Sequence, residues 1–366
     1  MEGKKVICVL RALRTGGAER QLRGLALLLK ERGYDVEVLT YHHGSFHEGD
    51  LIDNGVRVIR IPKKGSSLKL ARDLAAHFER ENPNAVISYT SGANRKVCMA
   101  TFFGKKDYRL IVSERNFNLR CTPADIWRFF LYRRADAIVP NCHAQEGFIL
   151  KHFPSLASKV KTIVNFTDTD KFTPSPEPVR NDPPLFVTTA RISPRKNLLG
   201  YIRAVGKVAA SGRKLKVEWW GSAVDGKYKA KCLKEIDALG LKGVFTLHDA
   251  SRGVAGIYRR ADFFCLPSFY EGTPNSLCEA MACGLPVAAS LVSDNAMYCR
   301  DGVNGFTFNP KDTDGIARAM TALMDLTPEQ KAAFGAKSRD IVCSSLSKGP
   351  FIDSYISLIE NNAKHE

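Results

Sequence analysis

The sequence predicts an α/β protein built from two parallel-sheet domains. Three observations predict it. Short apolar runs alternate with helical stretches, the pattern of βαβ units. The alternation breaks once, where Pro174, Pro176, Pro178, Pro183 and Pro184 crowd into residues 173–184. It then resumes for nearly the rest of the chain. The 366 residues suit two domains of about 100–200 residues each.

In the first series, residues 6–10 form an apolar run that reads as a strand. Residues 18–30 follow with helical spacing, Leu22, Leu25, Ala26 and Leu29 sharing one face. Residues 36–39 and 56–61 read as strands, 68–80 as a helix, and 85–88, 110–113 and 137–140 as further strands. The proline-rich stretch cannot form regular structure and reads as a linker. Beyond it, 185–189, 217–220, 244–247, 263–266 and 286–289 read as strands. Residues 197–210, 228–239, 274–283, 315–324, 327–342 and 350–360 read as helices. The expected division is 1–172, a linker at 173–184, 185–345, and a terminal segment 346–366. No 20–50-residue period recurs, which excludes a solenoid. Ligands of open α/β sheets bind at the carboxyl ends of strands, so two facing sheets would form a cleft.

Composition narrows the class. With 44% hydrophobic and 25% charged residues, the chain is neither disordered nor fibrous. No apolar run reaches the roughly 18 residues of a spanning helix. The start, MEGKKVICVL, lacks the apolar core of a secretory leader, so a cytoplasmic protein is expected. The ten cysteines form no CxxC and no zinc-ligand spacing with histidine, and read as reduced, buried thiols. The net charge is +16. Residues 1–170 hold 28 basic against 18 acidic residues. That excess suits an anionic partner such as a phosphorylated substrate or a negatively charged membrane surface.

The stretch Ser268-Phe-Tyr-Glu-Gly-Thr-Pro-Asn-Ser-Leu-Cys-Glu-Ala-Met-Ala-Cys-Gly284 carries the most chemistry. It leaves a strand and opens a helix, with Thr273 expected as the N-cap and Pro274 at the first helical position. The amides around Asn275 and Ser276 then face a phosphate site at the positive end of the helix. Glu271 lies just before the helix, and Glu279 about 7 Å along it. Carboxylates repel phosphate, so their targets are hydroxyls on the groups flanking it. A sugar–diphosphate–ribose ligand has that pattern. A capped helix bearing two surface glutamates is the structural alternative.

Glu271 and Glu279, separated by seven residues and followed by Ala-Met-Ala-Cys-Gly-Leu-Pro-Val, resemble the E-x7-E signature of retaining GT-B glycosyltransferases, family 4 in particular. Thr189-Ala-Arg-Ile-Ser-Pro-Arg-Lys-Asn197 is similar to that family's Arg-x4-Lys turn. Arg14-Thr-Gly-Gly-Ala-Glu19 resembles its Gly-Gly loop. The resemblance implies a GT-B architecture of two Rossmann-like α/β domains. The first would bind the acceptor and the second a nucleotide-sugar donor, UDP-linked by preference, with retention of configuration. It assigns Arg191, Lys196 and Glu271 to catalysis. Gly16, Gly17, Gly221, His248, Gly272, Thr273, Asn275, Ser276 and Glu279 go to the donor. It implies no metal and no cofactor, a glycan or lipid-linked acceptor, no nucleic acid, and a terminal helix that returns to the first domain.

The chain departs from the family at two places. Glu114 and Arg115 stand at a strand end where a histidine is common, and are expected in the cleft without an assigned role. Ala223 replaces a second glycine near Gly221. The run Gly221-Ser-Ala-Val-Asp-Gly-Lys227 imitates a P-loop, but Tyr228 stands where serine or threonine would hold magnesium. Two other classes share features with this sequence. A GT-B nucleotide-sugar 2-epimerase would need acid–base groups in the cleft, and a non-catalytic basic binding protein would not need the donor residues.

Overall fold

The protein is described from a computed structural model covering residues 3–14, 16–63, 65–115 and 117–361. It divides into two units. The first comprises the chain to Phe166 and again from Lys348, and the second runs from Thr167 to Ser347.

The first unit holds a six-stranded sheet: β1 Lys5–Leu10, β2 Asp35–Thr40, β3 Arg57–Arg60, β4 Ala85–Tyr89, β5 Arg109–Glu114 and β6 Ala137–Pro140. All pairs are parallel, in the order β3-β2-β1-β4-β5-β6. Crossover helices cover both faces, so β1, β4 and β5 are buried almost end to end. Val6, Cys8 and Leu10 enter one core with Leu22, Leu25 and Leu29. Ile7 and Val9 enter the other with Leu70, Leu74 and Val97.

The second unit repeats the plan with β7 Leu185–Thr189, β8 Lys216–Trp220, β9 Phe245–His248, β10 Phe263–Leu266, β11 Val287–Ser290 and β12 Gly305–Phe308. Its order, β12-β11-β10-β7-β8-β9, is the same winding with the strand series begun again. Strand order therefore reverses between β7 and β10, the switch point at which such sheets leave a crevice beyond their carboxyl ends. Strand β12 was not expected from the sequence. It is short, lies at the sheet edge beside β11, and half-exposes Phe306 and Thr307, so its apolar pattern is weak.

The division between units differs from the expected linker. The crossing falls after Phe166, and the proline-rich stretch belongs to the second unit. Asn181 Nδ2 donates to Asp262 Oδ2 at 2.7 Å, and Lys331 Nζ donates to the Val179 carbonyl at 2.8 Å. Without helix or strand of its own, the stretch is held by side chains of the unit it enters.

The helix Lys348–Glu360 lies in the first unit. The Phe351 ring sits 4.8 Å from Phe166, and the Tyr89 hydroxyl donates to that of Tyr355 at 2.9 Å. Lys4 pairs with Glu360 at 3.1 Å. The preceding helix, Pro328–Ser345, stays in the second unit. Its Gly335 approaches the Gly284 carbonyl so closely that a Cβ there would lie 2.2 Å from the oxygen.

Candidate functional site

The turn leaving β7 carries Arg191 to Asn197. Asn197 takes a left-handed conformation (φ 55°) and its side-chain amide donates to the Pro310 carbonyl at 2.7 Å. This locks the turn before the helix Leu198–Ala210 begins. Asparagine is one of the few non-glycine residues that visit that conformation routinely. Lys196 is thereby aimed at the loop leaving β10, where its Nζ meets Glu271 Oε1 at 2.5 Å. Two further links tie the same loops. The Phe269 amide donates to the Arg195 carbonyl at 3.0 Å, and the Arg195 guanidinium lies 4.6 Å over the Tyr270 ring. Arg191 is exposed at the mouth of the turn.

The β10 loop runs through buried Glu271, Gly272 and Thr273 into the helix Asn275–Ala282. The helix starts one residue later than expected. Pro274, not Thr273, is the N-cap, with non-helical ψ of 79°. Its carbonyl already accepts from the Cys278 amide at 3.1 Å, so the first helical position passes to Asn275. The amides at the start of the helix are accordingly those of Ser276 and Leu277 as well as Asn275, whose own N–H reaches the Thr273 carbonyl at 3.0 Å. Glu279 is buried, at 5% exposure.

Register places Thr189, Trp220 and His248 abreast at the carboxyl edge of β7, β8 and β9. Trp220 stacks on His248 with ring centroids 4.0 Å apart and planes 11° from parallel. Trp220 Nε1 donates to Glu218 Oε2 at 2.8 Å. His248 Nε2 stands 3.9 Å from that carboxylate, too far for a hydrogen bond. Burial would raise the Glu218 carboxyl, but bonds from Arg260 and Trp220 outweigh it and hold the group below its ordinary range. Gly221 must be glycine, because a Cβ would lie 2.1 Å from the Ala190 carbonyl oxygen. The P-loop imitation is closed by its own residue. Asp225 caps the helix Gly226–Ala238, accepting from the Lys227 amide at 3.0 Å where a phosphate would have to sit. Sequence reading assigned Lys196, Glu271, Gly221 and His248 but passed over Asn197, Tyr270 and Trp220, whose contacts arise only from strand pairing and loop docking.

The remaining candidates lie in the first unit. Gly16 is the N-cap of the helix Gly17–Glu31. Glu114 and Arg115, expected in the cleft, are both buried. Glu114 is 1% exposed and accepts from the Tyr132 hydroxyl and from Asn94 Nδ2 at 3.2 Å. Arg115 bonds Asn165 and Ser113 Oγ, and lies 4.3 Å over the Tyr89 ring. Their polar ends are taken up inside the first unit because Asn94, Tyr132 and Asn165 wait there.

Glu37, His77 and Glu81 also converge in this unit, within 4.8 Å, a grouping the sequence did not reveal. Arg57 pairs with both glutamates and Lys5 with Glu81, so resident cations already balance the carboxylates. The cysteines are all free. Eight are buried, Cys121 is half-buried, and Cys343 departs from the expectation by being exposed. Burial pushes the Cys8 thiol up to about 12.

Two Rossmann-like units, each a six-stranded parallel sheet between helices, with a lysine–glutamate pair at the second switch point, define a GT-B glycosyltransferase. The model of Glycosyltransferase Family 4 matches residues 15–171, and that of Glycosyl transferases group 1 matches residues 170–340. The chain belongs to this family, and it is an enzyme of the hexosyl- or N-acetylhexosaminyltransferase class. Among curated relatives, the Campylobacter jejuni GalNAc-alpha-(1->4)-GalNAc-alpha-(1->3)-diNAcBac-PP-undecaprenol alpha-1,4-N-acetyl-D-galactosaminyltransferase is 28% identical over 295 residues, 76% of each chain. The Escherichia coli UDP-Gal:alpha-D-GlcNAc-diphosphoundecaprenol alpha-1,3-galactosyltransferase is 25% identical over 178 residues, 46% of each chain. The solved structure of HepE from Anabaena with UDP and glucose superposes with a TM-score of 0.84, at 18% identity, over 97% of this chain and 98% of that one. No helix among the described residues is long and apolar enough to cross a membrane.

Proposed function

We propose that the protein transfers a sugar from a nucleoside diphosphate, UDP by preference, to a lipid-linked oligosaccharide or related glycan with retention of configuration. The observation that carries this reading is the Lys196–Glu271 pair beside the helix that opens at Asn275. A cation, a carboxylate and the amides of a helix start within one crevice suit a diphosphate flanked by hydroxylated groups. The Campylobacter jejuni relative is named for an undecaprenol-linked glycan, the Escherichia coli relative for a UDP-galactose donor, and the HepE structure holds UDP. Those names support the choice of donor and acceptor.

In this reading the second unit binds the donor and the first the acceptor. Glu279 holds the ribose hydroxyls and Glu271 the sugar hydroxyls. Arg191, Lys196 and the amides of Asn275 and Ser276 hold the diphosphate. Charge grows on the diphosphate as the glycosidic bond breaks, so preplaced cations and amides stabilise the transition state more than the bound donor. A leaving-phosphate oxygen takes the acceptor proton on the same face, which requires no separate base, metal or cofactor. Gly221 keeps the β8 turn close to β7, and His248 presents an edge to the base. The protein works in the cytoplasm, on the membrane face that carries its acceptor.

The test is calorimetric titration with UDP, GDP and their sugars, followed by NMR of the product anomeric proton. Binding of UDP with an α-configured product is expected from an α-linked donor. Failure of every nucleotide to bind, or an inverted product, overturns the proposal.

A further inference from the structure

The helix Pro123–Tyr132 in the first unit buries Phe129, Leu131 and Tyr132 but leaves a second apolar face outward. Its charged residues face inward. Asp125 and Arg128 are 6% and 8% exposed, while Ile126, Trp127 and Phe130 are 58%, 54% and 53% exposed. The inward charges are engaged. Arg128 pairs with Asp125 at 2.8 Å and approaches Glu114 at 3.7 Å. Asp125 also closes a capping box with Thr122, and the Tyr132 hydroxyl binds Glu114. The helix is therefore pinned at both ends by its polar face, and the outward apolar face is a fixed feature of the fold. The Trp127 and Phe130 rings stack on that face, with centroids 5.7 Å apart and planes 19° apart.

We propose that this face docks the enzyme on an anionic lipid bilayer, Ile126, Trp127 and Phe130 entering the interface while exposed arginines engage the headgroups. Charge complementarity favours this occupant. Arg120 precedes the helix, and Arg133 and Arg134 follow it, all exposed. Residues 1–170 carry 28 basic against 18 acidic side chains. Aromatic residues beside arginines match the boundary between acyl chains and headgroups. A second copy of the chain is a poorer fit. Three half-exposed side chains offer roughly 350 Å² of apolar surface, whereas a stable protein interface takes about 800 Å² from each partner. The proposal deepens the lipid-linked acceptor reading by naming the surface that meets the membrane, and it leaves the donor site in the second unit untouched.

The experiment is co-sedimentation of the full chain with phosphatidylglycerol/phosphatidylcholine vesicles at low salt, read together with tryptophan emission. Wild type should partition onto anionic vesicles in preference to neutral ones, and release as salt rises. Its emission should shift to the blue and be quenched by brominated acyl chains, and Trp127→Tyr should abolish that change, since Trp219 is buried and Trp220 is stacked on His248 in the second unit. Trp127→Ser with Phe130→Ser should weaken partitioning at least tenfold. Arg120→Gln with Arg133→Gln should weaken binding to anionic vesicles alone. Nucleotide affinity by calorimetry should be unchanged in all variants, which separates failure of this proposal from failure of the transferase reading. No preference for anionic vesicles, unaltered partitioning of the serine double variant, or a concentration-dependent dimer that this variant abolishes overturns the proposal.

Discussion

Lys196→Ala tests the central pair of the site. The ammonium and carboxylate meet at 2.5 Å with side chains 17% and 9% exposed. A surface pair contributes about 0–1 kcal/mol, and breaking a fully buried one costs about 3–5 kcal/mol. This pair lies between, and losing its charge-assisted hydrogen bond should cost about 1.5–3 kcal/mol. For a unit the size of residues 167–347 that is a fall of about 3–12 °C in melting temperature. Much of the loss comes from leaving Glu271 charged and unpaired. Glu271→Gln in the same chain should therefore restore most of the stability. Turnover should behave differently. Compared with Glu271→Gln alone, the double variant should be slower by about 10²–10³ in kcat, if Lys196 meets charge that develops on the diphosphate. The assay is nucleoside diphosphate release from a saturating donor, alongside thermal unfolding of all four proteins. A double variant as active as Glu271→Gln alone would show that Lys196 only neutralises its partner. An unchanged melting temperature in Lys196→Ala would show that the pair contributes nothing to the fold.

Glu279→Ala should weaken nucleotide binding by about 1.5–3 kcal/mol, the worth of a charge-assisted hydrogen bond, and unchanged UDP and GDP affinity by calorimetry would remove Glu279 from the ribose site. Glu114→Ala leaves Arg128 its pair with Asp125 but removes the acceptor of the buried Tyr132 hydroxyl, and should destabilise the first unit by about 1–3 kcal/mol. Its nucleotide affinity should not change, and a selective loss of that affinity would show that Glu114 reaches the donor. Hydrogen bonds from Lys5 and Arg57 lower the Glu81 carboxyl from 4.5 to about 2. Because the folded value lies below the unfolded one, this stabilisation is full above about pH 4.5 and disappears as pH falls toward 2. Glu81→Gln should flatten the melting profile across that window, and parallel profiles for the two proteins would exclude Glu81 as a source of acid sensitivity.

The sequence by itself determined the local elements and the residue pattern of the candidate site. Strand and helix periodicity depends on neighbours a few residues apart, and it located β1, β4, β7 and β10 to within a residue or two. Lys196 and Glu271 were legible because their spacing from Arg191 and Glu279 is itself a pattern. Direction was not legible. A strand-end glutamate can turn outward or inward, and Glu114 turned inward because Asn94, Tyr132 and Arg128, distant in sequence, supply its partners. The helix Pro123–Tyr132 shows the same limit more sharply. Apolar residues lie all around it, so periodicity could not choose which side to bury. The choice fell to Asp125 and Arg128, whose burial is tolerable only where opposite charges and hydrogen-bond partners already stand. That condition belongs to the assembled fold, and it left Trp127 and Phe130 facing solvent.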